Sequence, residues 1–98
     1  MCGAPVQELS LEGIDVAVET IIQGTVTRDG QPAGGAYVRL LDATGEFTAE
    51  VVTSATGAFR FFARPGEWTV RALGSGGAKA DAQVAARQGE IAETTITL

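Results

Sequence analysis

Hydrophobic and polar residues alternate with a period of two along much of this chain. The clearest example covers residues 53–72 and reads TSATGAFRFFARPGEWTVRA. Phe59 and Phe61 fall on one face of its first half, and Trp68 begins a similar alternation in the second half. Aromatic and β-branched residues in this pattern are typical of half-buried strands, and the Pro-Gly pair between the halves marks a turn. We therefore predict two strands joined as a hairpin.

The same pattern recurs, with turn signals every 8–12 residues, and predicts about seven short strands in an all-β sandwich. The predicted strands cover residues 20–28, 36–42, 47–54, 58–63, 67–73, 80–86 and 91–98. In the first strand Ile22, Gly24 and Val26 share a face. The turn at Asp29 and Gly30 is expected to let the first two strands pair.

The first 18 residues lack this alternation, so we predict two segments: a flexible leader over residues 1–18 and one sandwich domain over residues 19–98. Residues 1–7 are expected to be disordered. Leu9, Leu11 and Ile14 are expected to pack against the sandwich or to cover an edge strand.

Composition limits the function. The 98 residues are 45% hydrophobic and 19% charged, as in one globular domain. A net charge of −5 would repel nucleic acid and anionic membranes. The chain has no histidine, which removes the usual general base and the commonest transition-metal ligand. We therefore expect neither an enzyme nor a bound cofactor or metal.

Location is predicted from what the chain lacks. One cysteine cannot form an internal disulfide, which favours a reducing compartment. No run approaches the roughly 20 apolar residues of a membrane span, and the start is not that of a signal peptide. The cytoplasm is the expected location.

Several side chains leave alternatives open. Arg39, Arg60 and Arg71 lie in mid-strand and either form cross-strand pairs, with Glu50 or Glu67 as partners, or bind an anion together. The phase of Trp68 with Val70 places its ring in the core rather than on a sugar-binding surface.

A candidate interaction patch consists of Tyr37, Leu41 and Phe62, because each is a large apolar residue on the face opposite the core. Such a patch would mark a partner-binding surface. The alternative is that Leu41 and Phe62 are covered by the leader or by each other.

Motifs over residues 20–73 resemble the carboxypeptidase regulatory-like domain. That family implies a transthyretin-like (prealbumin-like) Greek-key sandwich of about seven strands, used in accessory, binding and structural modules. The residues that carry the resemblance are Gly24-Thr25-Val26-Thr27, Asp29-Gly30-Gln31-Pro32, Thr53, Gly57, Phe59, Phe61, Pro65-Gly66 and Trp68.

Nearly the whole chain is also similar to a family of small actinobacterial proteins of unknown function. The similarity rests on the start MCGAP and on the runs YVRLLD, EFTAEVV and FRFFA. Members are often labelled as putative thiosulfate sulfurtransferases or proteins associated with them. The resemblance implies a link to sulfur metabolism and a rhodanese-type sulfurtransferase as partner.

Cys2 is the only sulfur nucleophile of the chain. If Met1 is removed, the adjacent ammonium would lower the pKa of the Cys2 thiol, and the thiolate could accept sulfur as a persulfide. The alternative is an idle surface thiol. We predict a non-catalytic accessory protein of sulfur metabolism with Cys2 as sulfur carrier; the alternative is a purely structural interaction module without sulfur chemistry.

Overall fold

Turn residues divide residues 13–98, which the computed structural model describes, into eight strands. All seven predicted strands are present, and the two-residue β2 is additional. The strands are β1 Ile21–Arg28, β2 Gln31–Pro32, β3 Tyr37–Leu41, β4 Phe47–Val52, β5 Ala58–Phe62, β6 Gly66–Leu73, β7 Lys79–Ala86 and β8 Ile91–Thr97. A short 3-10 turn, Ser75–Gly77, lies between β6 and β7.

The strands form two four-stranded sheets that pack face to face. In one sheet the order is β4-β3-β6-β7, and all neighbours are antiparallel. In the other, β1 is central: β8 runs parallel along one side, and β5 and β2 share the other side. The predicted all-β, transthyretin-like sandwich is confirmed.

Alternation along the strands places one set of side chains between the sheets. Phe59 and Phe61 come from one sheet and Trp68 and Val70 from the other, and all four are buried, as predicted. Gly24 in β1 allows the β8 backbone to approach unusually closely, since a Cβ atom there would lie 1.7 Å from the Thr94 carbonyl oxygen. The larger core residues are Ile22, Val26, Val38, Leu40, Val51, Phe59, Phe61, Trp68, Val70, Val84 and Ile96.

Two predicted strand pairings are wrong. β5 and β6 do not form a hairpin, because β5 pairs with β1 and β6 pairs with β3 and β7. The first two predicted strands also lie in different sheets, and the Asp29-Gly30 turn joins β1 to the short β2 instead. The reason is that alternation fixes which side chains face the core, but not which strand lies alongside.

The described end of the predicted leader is hydrogen-bonded to the sandwich, because the Gln88 Nε2 in the β7–β8 turn donates to the Val18 carbonyl oxygen at 3.3 Å. The Asp15 carbonyl oxygen accepts bonds from the Val18 and Glu19 amides at 3.2 and 3.1 Å. The Gly89 amide, in the β7–β8 turn, donates to the Glu19 carbonyl oxygen at 2.8 Å. Ile14 is half-buried. Leu9, Leu11 and residues 1–7 lie outside the described residues, and the expectations for them stay predictions.

Candidate functional site

A cavity of about 550 Å³ opens at the end of the sandwich where β3 begins and β6 ends. Its size is within the range typical of small-molecule sites, about 300–1,000 Å³. Four separate chain segments meet there. The lining residues are Arg28, Asp29, Pro32, Ala33, Gly34, Gly35, Ala36, Tyr37, Leu73, Gly74, Ser75 and Leu98.

The β1–β2 turn forms one wall of this end cavity. Asp29 and Gly30 have φ angles of 55° and 78°, and Arg28 pairs with Gln31 across the turn. Positive φ at both central residues of a two-residue loop defines a type I′ turn, which favours Asp-Gly. The wall thus follows directly from the local sequence.

Thr53 fixes the loop that forms the second wall. Its side chain is 2% exposed. The Thr53 Oγ1 donates a hydrogen bond to the Ala33 carbonyl oxygen at 2.6 Å and accepts one from the Ala36 amide at 2.9 Å. One buried hydroxyl therefore satisfies two backbone groups of a segment that belongs to neither sheet.

A hydrogen-bonded contact between Arg28 and Ser75 forms the third side of the end cavity. The Arg28 Nη1 donates to the Ser75 carbonyl oxygen at 3.0 Å and to the Ser75 Oγ at 3.2 Å. Gly74 leaves room for this contact, because a Cβ atom there would lie 2.9 Å from the Leu98 Cδ1 and 3.1 Å from the Arg28 Nη1. The guanidinium is thereby held at the edge of the end cavity.

The outer face of the β4-β3-β6-β7 sheet carries a row of four charged residues. Strand register aligns Glu50, Arg39, Arg71 and Asp81 across all four strands. The Arg39 Nε lies 2.8 Å from the Glu50 Oε2, and Arg71 makes two bonds of 2.8 and 3.0 Å to Asp81. The hydrogen bond from Arg71 lowers the pKa of the Asp81 carboxyl and raises that of Arg71 itself.

These contacts decide between the alternatives for the arginines. The predicted pair with Glu50 is confirmed for Arg39, whereas Arg71 pairs with Asp81 and not with Glu67. Arg60 is buried on the other sheet, where its Nε donates to the Gln23 Oε1 at 2.9 Å. The three arginines therefore do not form one anion site.

The opposite end of the sandwich has a smaller cavity of about 340 Å³, lined by Asp42 and Trp68 among others. The Asp42 Oδ1 accepts bonds from the Thr44 hydroxyl and from the Thr44 and Glu46 amides, which lower the pKa of the Asp42 carboxyl. Trp68 is buried, as predicted, and its Nε1 donates to the Arg64 carbonyl oxygen at 2.9 Å.

The three residues of the predicted patch do not form one surface. Tyr37 is 39% exposed and Phe62 is 55% exposed, but they belong to different sheets. Leu41 is 7% exposed, so it is not available to a partner. Leu41 pairs with Thr69 of β6 in unbroken register and is not part of the core cluster, so it lies on the predicted outer face but is covered there.

Sequence reasoning missed the end cavity. Its principal polar contact joins Arg28 to Ser75, 47 residues apart in the chain, and nothing in the local pattern connects the two. In the sequence, Thr53 stands out only as part of the Thr-x-x-x-Gly-x-Phe-x-Phe motif. Its spacing from Gly57 was the available signal, since a threonine just before a tight turn often bonds the backbone. Cys2, the candidate sulfur carrier, lies outside the described residues.

Residues 13–98 contain no group of three or more His, Cys, Asp or Glu side chains that could hold a metal ion. In the same part of the chain, no helix has the length and apolar character needed to cross a membrane.

Comparison with known proteins identifies the family. The family described as "Protein of unknown function (DUF1416)" matches residues 2–98, and the chain belongs to it. Uncharacterized protein Rv0814c of Mycobacterium tuberculosis is 60% identical over 79 residues, which are 79% of each chain. An uncharacterized protein of Mycolicibacterium smegmatis is 65% identical over 66% of this chain and 73% of its own. The predicted kinship with actinobacterial proteins of unknown function is thus confirmed; these names do not mention sulfur transfer.

Solved structures share the fold at low sequence identity. The dioxygenase domain of a dioxygenase–carbohydrate-binding protein fusion from Streptomyces sp. SirexAA-E has a TM-score of 0.63 at 15% identity, covering 100% of this chain and 90% of that one. The major pilin subunit BcpA of Bacillus cereus also has a TM-score of 0.63, at 16% identity, covering 82% of this chain and 29% of the pilin. At such identities the likeness concerns the fold alone.

Proposed function

We propose that this member of a family of unknown function is a non-catalytic accessory protein that acts by binding. The observation behind this proposal is the pairing of its charged strand residues. Arg39 and Arg71, the exposed mid-strand cations, are each bound to a carboxylate on the neighbouring strand. In the described part of the chain, these groups brace a sheet surface and are not arranged around a nucleophile with a general base.

The partner we propose is a rhodanese-type sulfurtransferase, with Cys2 as the sulfur carrier. The support is the sequence resemblance and the presence of one cysteine in the chain. The Cys2 thiolate would attack the outer sulfur of a persulfide on the partner. A new S–S bond would form at Cys2 as the partner's S–S bond breaks and its thiolate leaves. Sulfur moves between two thiols without net oxidation.

Mass spectrometry of the intact protein tests the carrier role. The purified protein is incubated with thiosulfate and a rhodanese, and its mass is recorded before and after reduction. The carrier role predicts a gain of one sulfur atom that a reducing agent removes and that Cys2→Ser abolishes. An unchanged mass, with Cys2 shown to be reduced and accessible, would exclude it.

A structural interaction module without sulfur chemistry is the second candidate. The observation that favours it is the exposure of Phe62, 55%, on β5 beside the half-buried Ile14 of the N-terminal segment. The two candidates differ in a capture experiment with an immobilised rhodanese. The carrier role predicts that Cys2→Ser lowers capture of the persulfide-loaded enzyme and that Phe62→Asp is silent. The interaction module predicts the reverse.

Phe47→Asp is the matched control for Phe62→Asp. Phe47 is exposed to a similar extent, 59%, but lies on β4 in the other sheet. Loss of capture in both variants would indicate a general effect of added negative charge and would contradict a Phe62 surface.

A further inference from the structure

The Arg28 guanidinium is held in place, but only some of its N–H donors are hydrogen-bonded. Its Nη1 bonds Ser75, and these are the only side-chain hydrogen bonds of Arg28 that the structure shows within residues 13–98. The Nε–H and Nη2–H groups of Arg28 therefore have no protein acceptor in that part of the chain. An arginine already held at one nitrogen loses less conformational freedom when its remaining donors bind a ligand.

The lining of the end cavity combines polar groups with apolar surface. Pro32, Ala33, Leu73 and Leu98 contribute hydrocarbon surface, and Tyr37 contributes a ring that is 39% exposed. An apolar cavity with a few convergent polar groups is the usual form of a small-molecule site. The volume of about 550 Å³ is sufficient for a ligand of one ring and a short chain.

We propose that the end cavity binds a small organic carboxylate with an apolar body. Arg28 receives the carboxylate through its fork of N–H donors, which matches the two oxygens of a carboxylate. The apolar body packs against Leu73 and Leu98, with Tyr37 beside it. Asp29, exposed in the β1–β2 turn at the same cavity, provides a negative group for a ligand that also has an ammonium.

Three sources share this ligand chemistry: a free organic acid, an amino acid and the carboxyl terminus of a peptide. The probes are 3-phenylpropionate, phenylalanine and N-acetylphenylalanine. The neutral alcohol 3-phenylpropanol has the same apolar body without the charge. Amide shifts of Gly34, Gly35 and Gly74 report binding at the end cavity, and the Trp68 indole N–H at the opposite end is the internal control.

We expect the carboxylates to shift the three glycine amides, leave the Trp68 indole unshifted and bind more tightly than the alcohol. Arg28→Gln should weaken binding about ten-fold or more, because it removes a charged hydrogen-bonding partner. Arg28→Lys keeps the charge but not the fork of donors, so its affinity should lie between those of the wild type and Arg28→Gln. Arg39→Gln, at an arginine outside the cavity, should bind like the wild type.

The probe that binds most tightly identifies which of the three ligand sources fits the end cavity. A preference for phenylalanine that disappears in Asp29→Asn indicates that the ligand is an amino acid. Equal binding of the alcohol and 3-phenylpropionate would overturn the proposal, as would unchanged binding in a folded Arg28→Gln or the absence of shifts with all three carboxylates. A sulfur-carrier role for Cys2 is unaffected by any of these results.

Discussion

Replacing Thr53 by valine tests whether one buried hydroxyl holds the loop that walls the end cavity. Valine has nearly the same shape, so the main change is the loss of Oγ1. The Ala36 amide, in a residue 6% exposed, then loses its acceptor, and the Ala33 carbonyl oxygen loses its donor. The Thr53 backbone bonds to Gly35 and Ala36 remain, so the sheet itself is not broken.

The cost follows from these two lost hydrogen bonds. A buried donor without a partner costs about 1–3 kcal/mol, and a typical hydrogen bond contributes about 1 kcal/mol. Together they give about 2–4 kcal/mol, a large share of the 5–15 kcal/mol typical of whole domains. In a domain of this size we expect a drop in Tm of about 10–30 °C.

Urea unfolding followed by Trp68 fluorescence measures the change in the free energy of unfolding. Thr53→Ser keeps the hydroxyl and should be the more stable variant, although it loses a methyl group from a buried position. Thr56→Val is the control: Thr56 is exposed, bonds only the Ser54 hydroxyl, and should change stability by less than about 0.5 kcal/mol. A Thr53→Val variant as stable as the wild type, or more stable than Thr53→Ser, would refute the reasoning.

Two further predictions concern the sheets. Gly24→Ala should destabilise the domain by more than about 3 kcal/mol or prevent folding, because its Cβ would overlap the Thr94 carbonyl oxygen. Gly45→Ala meets no atom within 4 Å but has a φ of 86°, so it should cost only the backbone strain of about 1–2 kcal/mol in urea unfolding. Asp81→Asn should be less stable than the wild type at neutral pH. The Arg71 bond depresses the folded-state pKa of Asp81, so its contribution is present above the unfolded pKa and is lost as pH falls through the lower folded value. The unfolding curves of the wild type and Asp81→Asn should therefore differ at neutral pH and converge well below the usual Asp pKa, and a gap that persists at low pH would contradict this assignment.

The contrast between Phe59 and Leu41 shows what the sequence can predict. Phe59 was placed correctly because alternation is a local property and burial follows from it. The outer face of Leu41 follows from the same alternation, but its burial does not, because the groups that cover an outer face depend on the tertiary structure, which no local pattern reports. The false hairpin between β5 and β6 has the same origin, since a Pro-Gly turn reverses the chain but does not choose the sheet that it enters.

The end cavity was beyond sequence reasoning for a related reason. Its polar contact depends on the way β1 and β6 end at the same side of the sandwich, which places Arg28 against Ser75. The residues that would contact a ligand, Arg28 and Tyr37, are not those that hold the wall in place, since Thr53 does that from within the fold. A substitution at Arg28 should therefore change binding while the Tm stays near that of the wild type. Thr53→Val should lower the Tm and should weaken binding only because the loop is displaced. Measuring the Tm and the affinity of both variants therefore separates ligand contact from loop support.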